Sequence, residues 1–287
     1  MYKLLLVFAV LSACLPCVAQ TPSAPIAAKT SSPVSDYKDE AVVVERDDVV
    51  YRYAGDGTGS KIETSVLRVQ SSAALQNFAV LGFPYSTGNQ HLDIVYARVR
   101  KPDGTVVETP ASDAQDQPAQ VTQIAPMYSD LHLKQIPVRS LAVGDKLEFQ
   151  VRTTQQQPEV PGEFWGQENF GSGIVYLERS IELHVPKLKH VTVYSPEHKP
   201  EISEPGDERV YRWTGSQLRS VSAKDDDDTP RDNKPPVAWT TFPSWEAVGV
   251  WYRGLIAGRD AATPAIQAKA DELTVNAKTD TEKIRAL

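Results

Sequence analysis

From residue 41 to about residue 222 the chain repeats one device. Short runs of β-branched and aromatic residues, with apolar side chains two apart, are each cut off by a Gly, Pro or Asp turn. A period of two sends alternate side chains to opposite faces of a strand, so such runs bury an apolar face only by pairing into a sheet packed on another layer. Residues 41–44 and 49–53 open the series, a Gly55-Asp56-Gly57-Thr58-Gly59 turn follows, and residues 62–69 return. Residues 92–100 alternate up to Lys101-Pro102-Asp103-Gly104, and residues 105–108 continue beyond it, which predicts a hairpin. Leu147, Phe149 and Val151 share one face of a strand after the Gly144-Asp145 turn. Val175 and Leu177, then Ile181, Leu183 and Val185, keep the same period, and residues 191–194, 209–213 and 217–221 complete the set. Many short strands separated by turns predict a mainly β protein, an antiparallel β-sandwich over residues 37–223. A short helical turn near residues 73–77 interrupts it.

The period then changes. Residues 224–243 read as a linker loop, polar and Pro-containing, and from residue 244 the apolar spacing is helical. Ser244 can cap a helix that places Trp245, Val248, Tyr252, Leu255 and Ile256 on one face, with Gly258 as its stop. Thr263-Pro264 marks a second helix start, and Thr279-Asp280-Thr281-Glu282 matches a capping box. Trp239 and Trp245 are expected to pack these helices onto the sandwich. The third helix has a marked start and only two apolar seam positions, Ile284 and Leu287. This short α-helical C-terminal segment therefore looks truncated.

Lys3 followed by the apolar run of residues 4–11 has the form of a secretory leader, too short for the roughly 20 apolar residues that span a bilayer. Two processing readings compete. Small residues ending at Ala19 allow cleavage before Gln20, giving a signal peptide over residues 1–19. Alternatively, Leu11-Ser12-Ala13-Cys14 resembles a lipobox, with Cys14 lipidated and the chain membrane-anchored. Either reading exports the protein to the periplasm or cell envelope. Residues 20–36, rich in Pro, Ser, Ala and Thr, form a flexible linker. The net charge of -7, with no Lys/Arg block, excludes a nucleic-acid partner.

These features together resemble a bacterial exported domain of unknown function that precedes transglutaminase-like domains. The resemblance is carried by Tyr51-Arg52-Tyr53 with Gly57, by the hairpin from Val99 to Val106, and by Ile136-Pro137-Val138 followed by Val143-Gly144-Asp145-Lys146-Leu147-Glu148-Phe149. Thr241-Phe242-Pro243-Ser244-Trp245-Glu246-Ala247-Val248, leading to Trp251-Tyr252, is similar to the family's approach to the transglutaminase-like core. The resemblance implies a non-catalytic β-sandwich whose partner is a downstream papain-like core of the same protein, in which a thiolate attacks an amide carbonyl. Residues 244–287 would then be the incomplete helical start of that core. Cys14 and Cys17 are the only cysteines, so nothing in the body of this chain can be the nucleophile. The expectation for this chain is no catalytic residue.

No cofactor or metal site is expected. His91, His132, His184, His190 and His198 show no ligand spacing, residues 55–61 miss the phosphate-loop spacing, and the Asp225–Asp228 run lacks a calcium-loop pattern. No Asp/Glu pair stands out as a carboxylate site. The candidate ligand surface is Phe164, Trp165 and Phe170, in a Gly-rich stretch that could present rings to a cell-envelope peptide or polysaccharide. The competing reading has these rings plug one end of the sandwich. A stand-alone peptide- or glycan-binding module is thus the alternative function.

Overall fold

The computed structural model describes residues 37–170, 174–219, 237–259 and 261–287. The leader, its cleavage site at Ala19 and Gln20, Cys14, the linker at residues 20–36 and the Asp225–Asp228 run lie outside the described residues.

The first half of the chain forms β1 (Val42–Tyr53), β2 (Gly59–Val69), α1 (Ser72–Phe78), β3 (Val80–Ser86), β4 (Gln90–Arg100), β5 (Val106–Thr109), β6 (Gln115–Pro118), α2 (Gln120–Ile124) and β7 (Leu131–Pro137). After these come β8 (Lys146–Gln155), β9 (Trp165–Glu168), β10 (Val175–Pro186), β11 (Thr192–Tyr194), β12 (Glu201–Ser203), β13 (Glu208–Arg219) and β14 (Val237–Thr240). Helices α3 (Trp245–Ile256), α4 (Pro264–Thr274) and α5 (Asp280–Ala286) follow.

The strands build a mainly β sandwich. Its large layer is an eight-stranded sheet in the order β12-β13-β10-β1-β2-β8-β4-β5. Pairing is antiparallel except between β1 and β10, which run parallel; a parallel neighbour needs a long crossover, and here β2 to β9 lie between the two strands. Two three-stranded sheets, β3-β7-β6 and β11-β14-β9, form the facing layer.

Each small sheet makes its own core against the large one. Leu67, Leu92, Val99, Leu147 and Phe149 of the large sheet pack with Leu81 and Tyr85 of β3, Ile136 of β7 and Ala74 of α1. Val49, Ile181, Leu183 and Trp213 pack with Val237 and Trp239 of β14 and with Phe164. The alternation read from the sequence is thus the inward face of this sandwich, and the predicted hairpin forms with Val99 opposite Val107. The opposite face of the large sheet is polar. Buried Glu148, for example, accepts from Arg98 Nε and Arg100 Nε, both at 2.7 Å.

Four expectations need correction. The runs at 41–44 and 49–53 are one strand, and the run at 209–213 continues in one strand through Arg219, because polar positions do not end a strand whose backbone stays paired. The linker at 224–243 ends earlier, since β14 pairs with both β9 and β11. Trp239, only 2% exposed, is therefore a core residue of the sandwich rather than a helix contact. Trp245 is 86% exposed and packs nothing onto the sandwich.

The three helix starts form as their caps predict. Ser244, Thr263 and Thr279 accept from the backbone of Ala247, Ile266 and Glu282, and the Thr279–Glu282 capping box closes reciprocally. Their apolar faces differ from expectation. In α3 the half-buried positions are Ala247, Val248 and Trp251, with the Trp251 ring 6.3 Å from Phe242. Tyr252, Leu255 and Ile256 are exposed, and no residue of α3, α4 or α5 is buried. Among the described residues no helix is long and apolar enough to cross a membrane.

Candidate functional site

The two small sheets leave a cleft between them over the middle of the large one. The register shows what lies beneath it. Glu63 of β2 is opposite Val49 on one side and Val151 on the other, and Lys61 is opposite Tyr51 and Thr153. Polar and charged side chains thus occupy the inward face where one apolar core gives way to the other.

Around that seam five ionic groups converge. Tyr51 Oη donates to Glu168 Oε1 at 2.6 Å, and Lys61 Nζ lies 3.0 Å from the same oxygen and 3.4 Å from Glu63. Arg179 of β10 reaches Glu168 Oε2 at 3.1 Å and Asp47 at 3.2 Å. Three carboxylates therefore face two cations in a half-dry environment. Burial, reinforced by Glu63 and Glu168 and opposed by Arg179 and Lys61, pushes the Asp47 carboxyl up to about 6. Burial and the Glu168 carboxylate push the Tyr51 phenol far above its ordinary range, and burial raises Tyr53 to about 12. Burial works against the charge on Lys61, but Glu168 and Glu63 outweigh it and hold the ammonium on.

Above this cluster opens a groove of about 450 Å³, within the ~300–1,000 Å³ usual for ligand clefts. Its floor is Tyr51, Lys61, Glu63, Leu92, Val151 and Thr153, and its walls are Phe83 and Pro84 of β3 and Trp165, Gly166 and Gln167 of β9. Two close approaches shape it. A Cβ on Gly166 would lie 2.5 Å from the Trp239 ring, so only glycine lets β9 settle onto the core there. Gly57, at φ +89°, turns the β1–β2 hairpin under the Glu163 carbonyl, where a Cβ would lie 2.7 Å away, closing one end of the groove.

The structure separates the three predicted aromatics. Phe164 is 3% exposed, its ring stacked 4.1 Å from Tyr53, which is the plugging role. Phe170 is half-buried against His198, with ring centroids 4.5 Å apart. Trp165 alone projects, 42% exposed at the rim, beside Phe242 at 5.7 Å. The three do not form one ligand surface: side chains alternate where the chain enters β9, so Phe164, just before it, turns inward and Trp165 outward.

The carboxylate cluster did not stand out in the sequence, although a signal was there. Asp47, Lys61 and Glu63 occupy positions that alternation assigns to the buried face, and inward charge in a strand needs a partner. Glu168 and Arg179 come from remote segments that only the fold brings together. Among the described residues no group of three or more His, Cys, Asp or Glu is placed to hold a metal ion. Those lining the groove include neither histidine nor cysteine. The arrangement offers hydrogen bonds, ring faces and a negative field.

Fold and site together define a two-layer β-sandwich domain with an open, acidic cleft between the sheets of its smaller layer. The chain belongs to a family described as a domain of unknown function with a solved structure (DUF3857), which matches residues 55–222, more than half of it. A similar fold occurs in the crystal structure of a "putative protease" from Parabacteroides distasonis. The two share 17% identity and a TM-score of 0.73, over 86% of this chain and 49% of that one. This chain thus spans about half the length of that protein. An M1 zinc metallopeptidase from Deinococcus radiodurans aligns at 12% identity over 70% of this chain and 42% of its own, with a TM-score of only 0.31. No curated protein matches.

Proposed function

We propose that this chain is the non-catalytic front module of an exported transglutaminase-like protein, a sandwich that supports and presents a downstream papain-like core. The observation that carries the reading is the surface of the helices after β14. Val250, Leu255, Ile256, Ile266, Leu273 and Ile284 are between 43% and 74% exposed on helices whose starts are capped. Well-formed helices with uncovered apolar stripes call for a folded neighbour. A further domain of the same polypeptide is the occupant this reading commits to. It agrees with a structural relative about twice as long, and with the residues before Trp251-Tyr252 that resemble an approach to such a core.

The test compares this chain with the continuous reading frame that contains it. The longer protein should incorporate a fluorescent amine into glutamine-bearing casein, with loss on cysteine alkylation, while residues 20–287 alone should not. Amide exchange in α3–α5 should slow in the longer protein, as expected of a covered face. Turnover by residues 20–287 free of contaminants, or unchanged exchange in those helices, overturns the proposal.

A further inference from the structure

The walls of the groove are sheet edges. In the small sheets β3 and β9 are each terminal, the former in β3-β7-β6 and the latter in β11-β14-β9, and both border the groove. The open side of β9 can be assigned residue by residue. Thr241 N–H donates to the Phe164 carbonyl at 3.0 Å, so Phe164 and Thr241 form a hydrogen-bonded pair. Such pairs alternate along an antiparallel ladder, and the register sets Gly166 opposite Trp239 and Glu168 opposite Val237. These three pairs use the β14 side. The N–H and C=O groups of Trp165 and Gln167 therefore point away from β14, and the Tyr53 hydroxyl reaches the Trp165 carbonyl at 3.5 Å from that side.

The opposite wall is built differently. Pro84 pairs with Leu133 in an unbroken β3–β7 register, so its missing N–H belongs to the outward edge, where proline is tolerated because it blunts strand addition. One wall is thus closed to pairing and the other open. Charge completes the picture: Glu63, Glu159 and Glu163 line the groove against one lining cation, Lys61, which is already paired with Glu63 and with Glu168 beneath.

We propose that the groove is a strand-addition site. It takes an extended peptide bearing basic side chains, which pairs with β9 through Trp165 and Gln167 and lies over the β2–β8 floor. At ~3.3 Å per residue, the four residues of β9 match a ligand segment of about four residues. The acidic lining selects a cationic side chain, and the Trp165 ring covers the rim. This inference rests on the groove and β9 alone, independently of the helices and of any downstream core.

The test uses a fluorescein-labelled hexapeptide of alternating valine and lysine, titrated into the full chain and read by fluorescence anisotropy. Saturable binding is expected. Methylating the internal backbone amides keeps charge and side chains but removes donors, and should weaken binding about tenfold or more for two hydrogen bonds lost. Replacing the lysines with glutamate should abolish it. On the protein side, Gln167→Pro removes one outward donor without touching the β9–β14 ladder, and should weaken binding by about half as much on the free-energy scale, roughly three- to fivefold, at unchanged Tm. Equal binding of methylated and unmethylated peptides, tight binding of the glutamate peptide, or no saturable binding overturns the proposal. Displacement of the peptide by chitohexaose also overturns it, in favour of a glycan cleft.

Discussion

Asp47→Asn should make this protein more stable at neutral pH, although it removes one partner of a buried ion pair. Asp47 is 5% exposed and shares its environment with Glu63, Glu168, Lys61 and Arg179, three carboxylates against two cations. Its carboxyl rises from 3.8 to about 6, and at roughly 1.36 kcal/mol per unit the ionised form costs the fold about 3 kcal/mol. Between about pH 4 and pH 6 the folded chain binds this proton more tightly than the unfolded one. Stability therefore falls as pH rises through that window and levels off above it. Asparagine copies the shape of the protonated acid and stays neutral. Arg179 is not orphaned, because Glu168 remains 3.1 Å away, which avoids the usual cost of an uncompensated buried charge. Denaturant unfolding should thus give equal stabilities near pH 4 and a variant more stable by about 1–3 kcal/mol at pH 8. The same gain should appear as a Tm higher by several degrees. A variant less stable than wild type at pH 8 would refute the reasoning: the Asp47–Arg179 attraction would then outweigh burial and the excess negative charge.

Trp213→Ala should cost about 3–5 kcal/mol in urea unfolding, since this ring is 1% exposed and stacks 6.5 Å from Trp239 in the second core. Gly166→Ala should cost about 1–3 kcal/mol by driving a Cβ into the Trp239 ring, visible as a change in tryptophan fluorescence together with a lower Tm. Glu148 behaves oppositely to Asp47. Burial pushes its carboxyl up, but hydrogen bonds from Arg100 and Arg98 more than reverse that and hold it below its ordinary value. Its contribution is present above the unfolded carboxylate pKa and is lost as pH falls through the lower folded value. Glu148→Gln should therefore be the less stable protein at pH 7, with the difference vanishing in acid titrations of unfolding.

Much of the sandwich was legible because burial on one face leaves a period of two in the chain. Leu147, Phe149 and Val151, and likewise Ile181, Leu183 and Val185, announce their inward face without any partner being known. The caps at Ser244, Thr263 and Thr279 were equally readable, since a helix start is satisfied by its own neighbours. The candidate site was not. Asp47-Asp48 reads as a break between two apolar runs, yet backbone pairing carries β1 straight through it. Strands as short as β9 and β14 carry too few residues for a period to show. Trp165 and Phe164 are adjacent and chemically alike, and which of them is buried depends on the direction in which β9 enters its sheet.

Sequence alone determined what is local: where strands and helices start and stop, which side chains must leave water, and the absence of a thiol beyond Cys17. Tertiary structure decided everything that depends on which segments become neighbours. It split the facing layer into two sheets, set their edges on either side of a groove, and brought Glu168 and Arg179 onto the charges of β1 and β2. The physical reason is range. Alternation and capping act over a few residues, whereas the groove and its ionic floor exist only when strands separated by more than a hundred residues come into register, as Asp47 and Arg179 do.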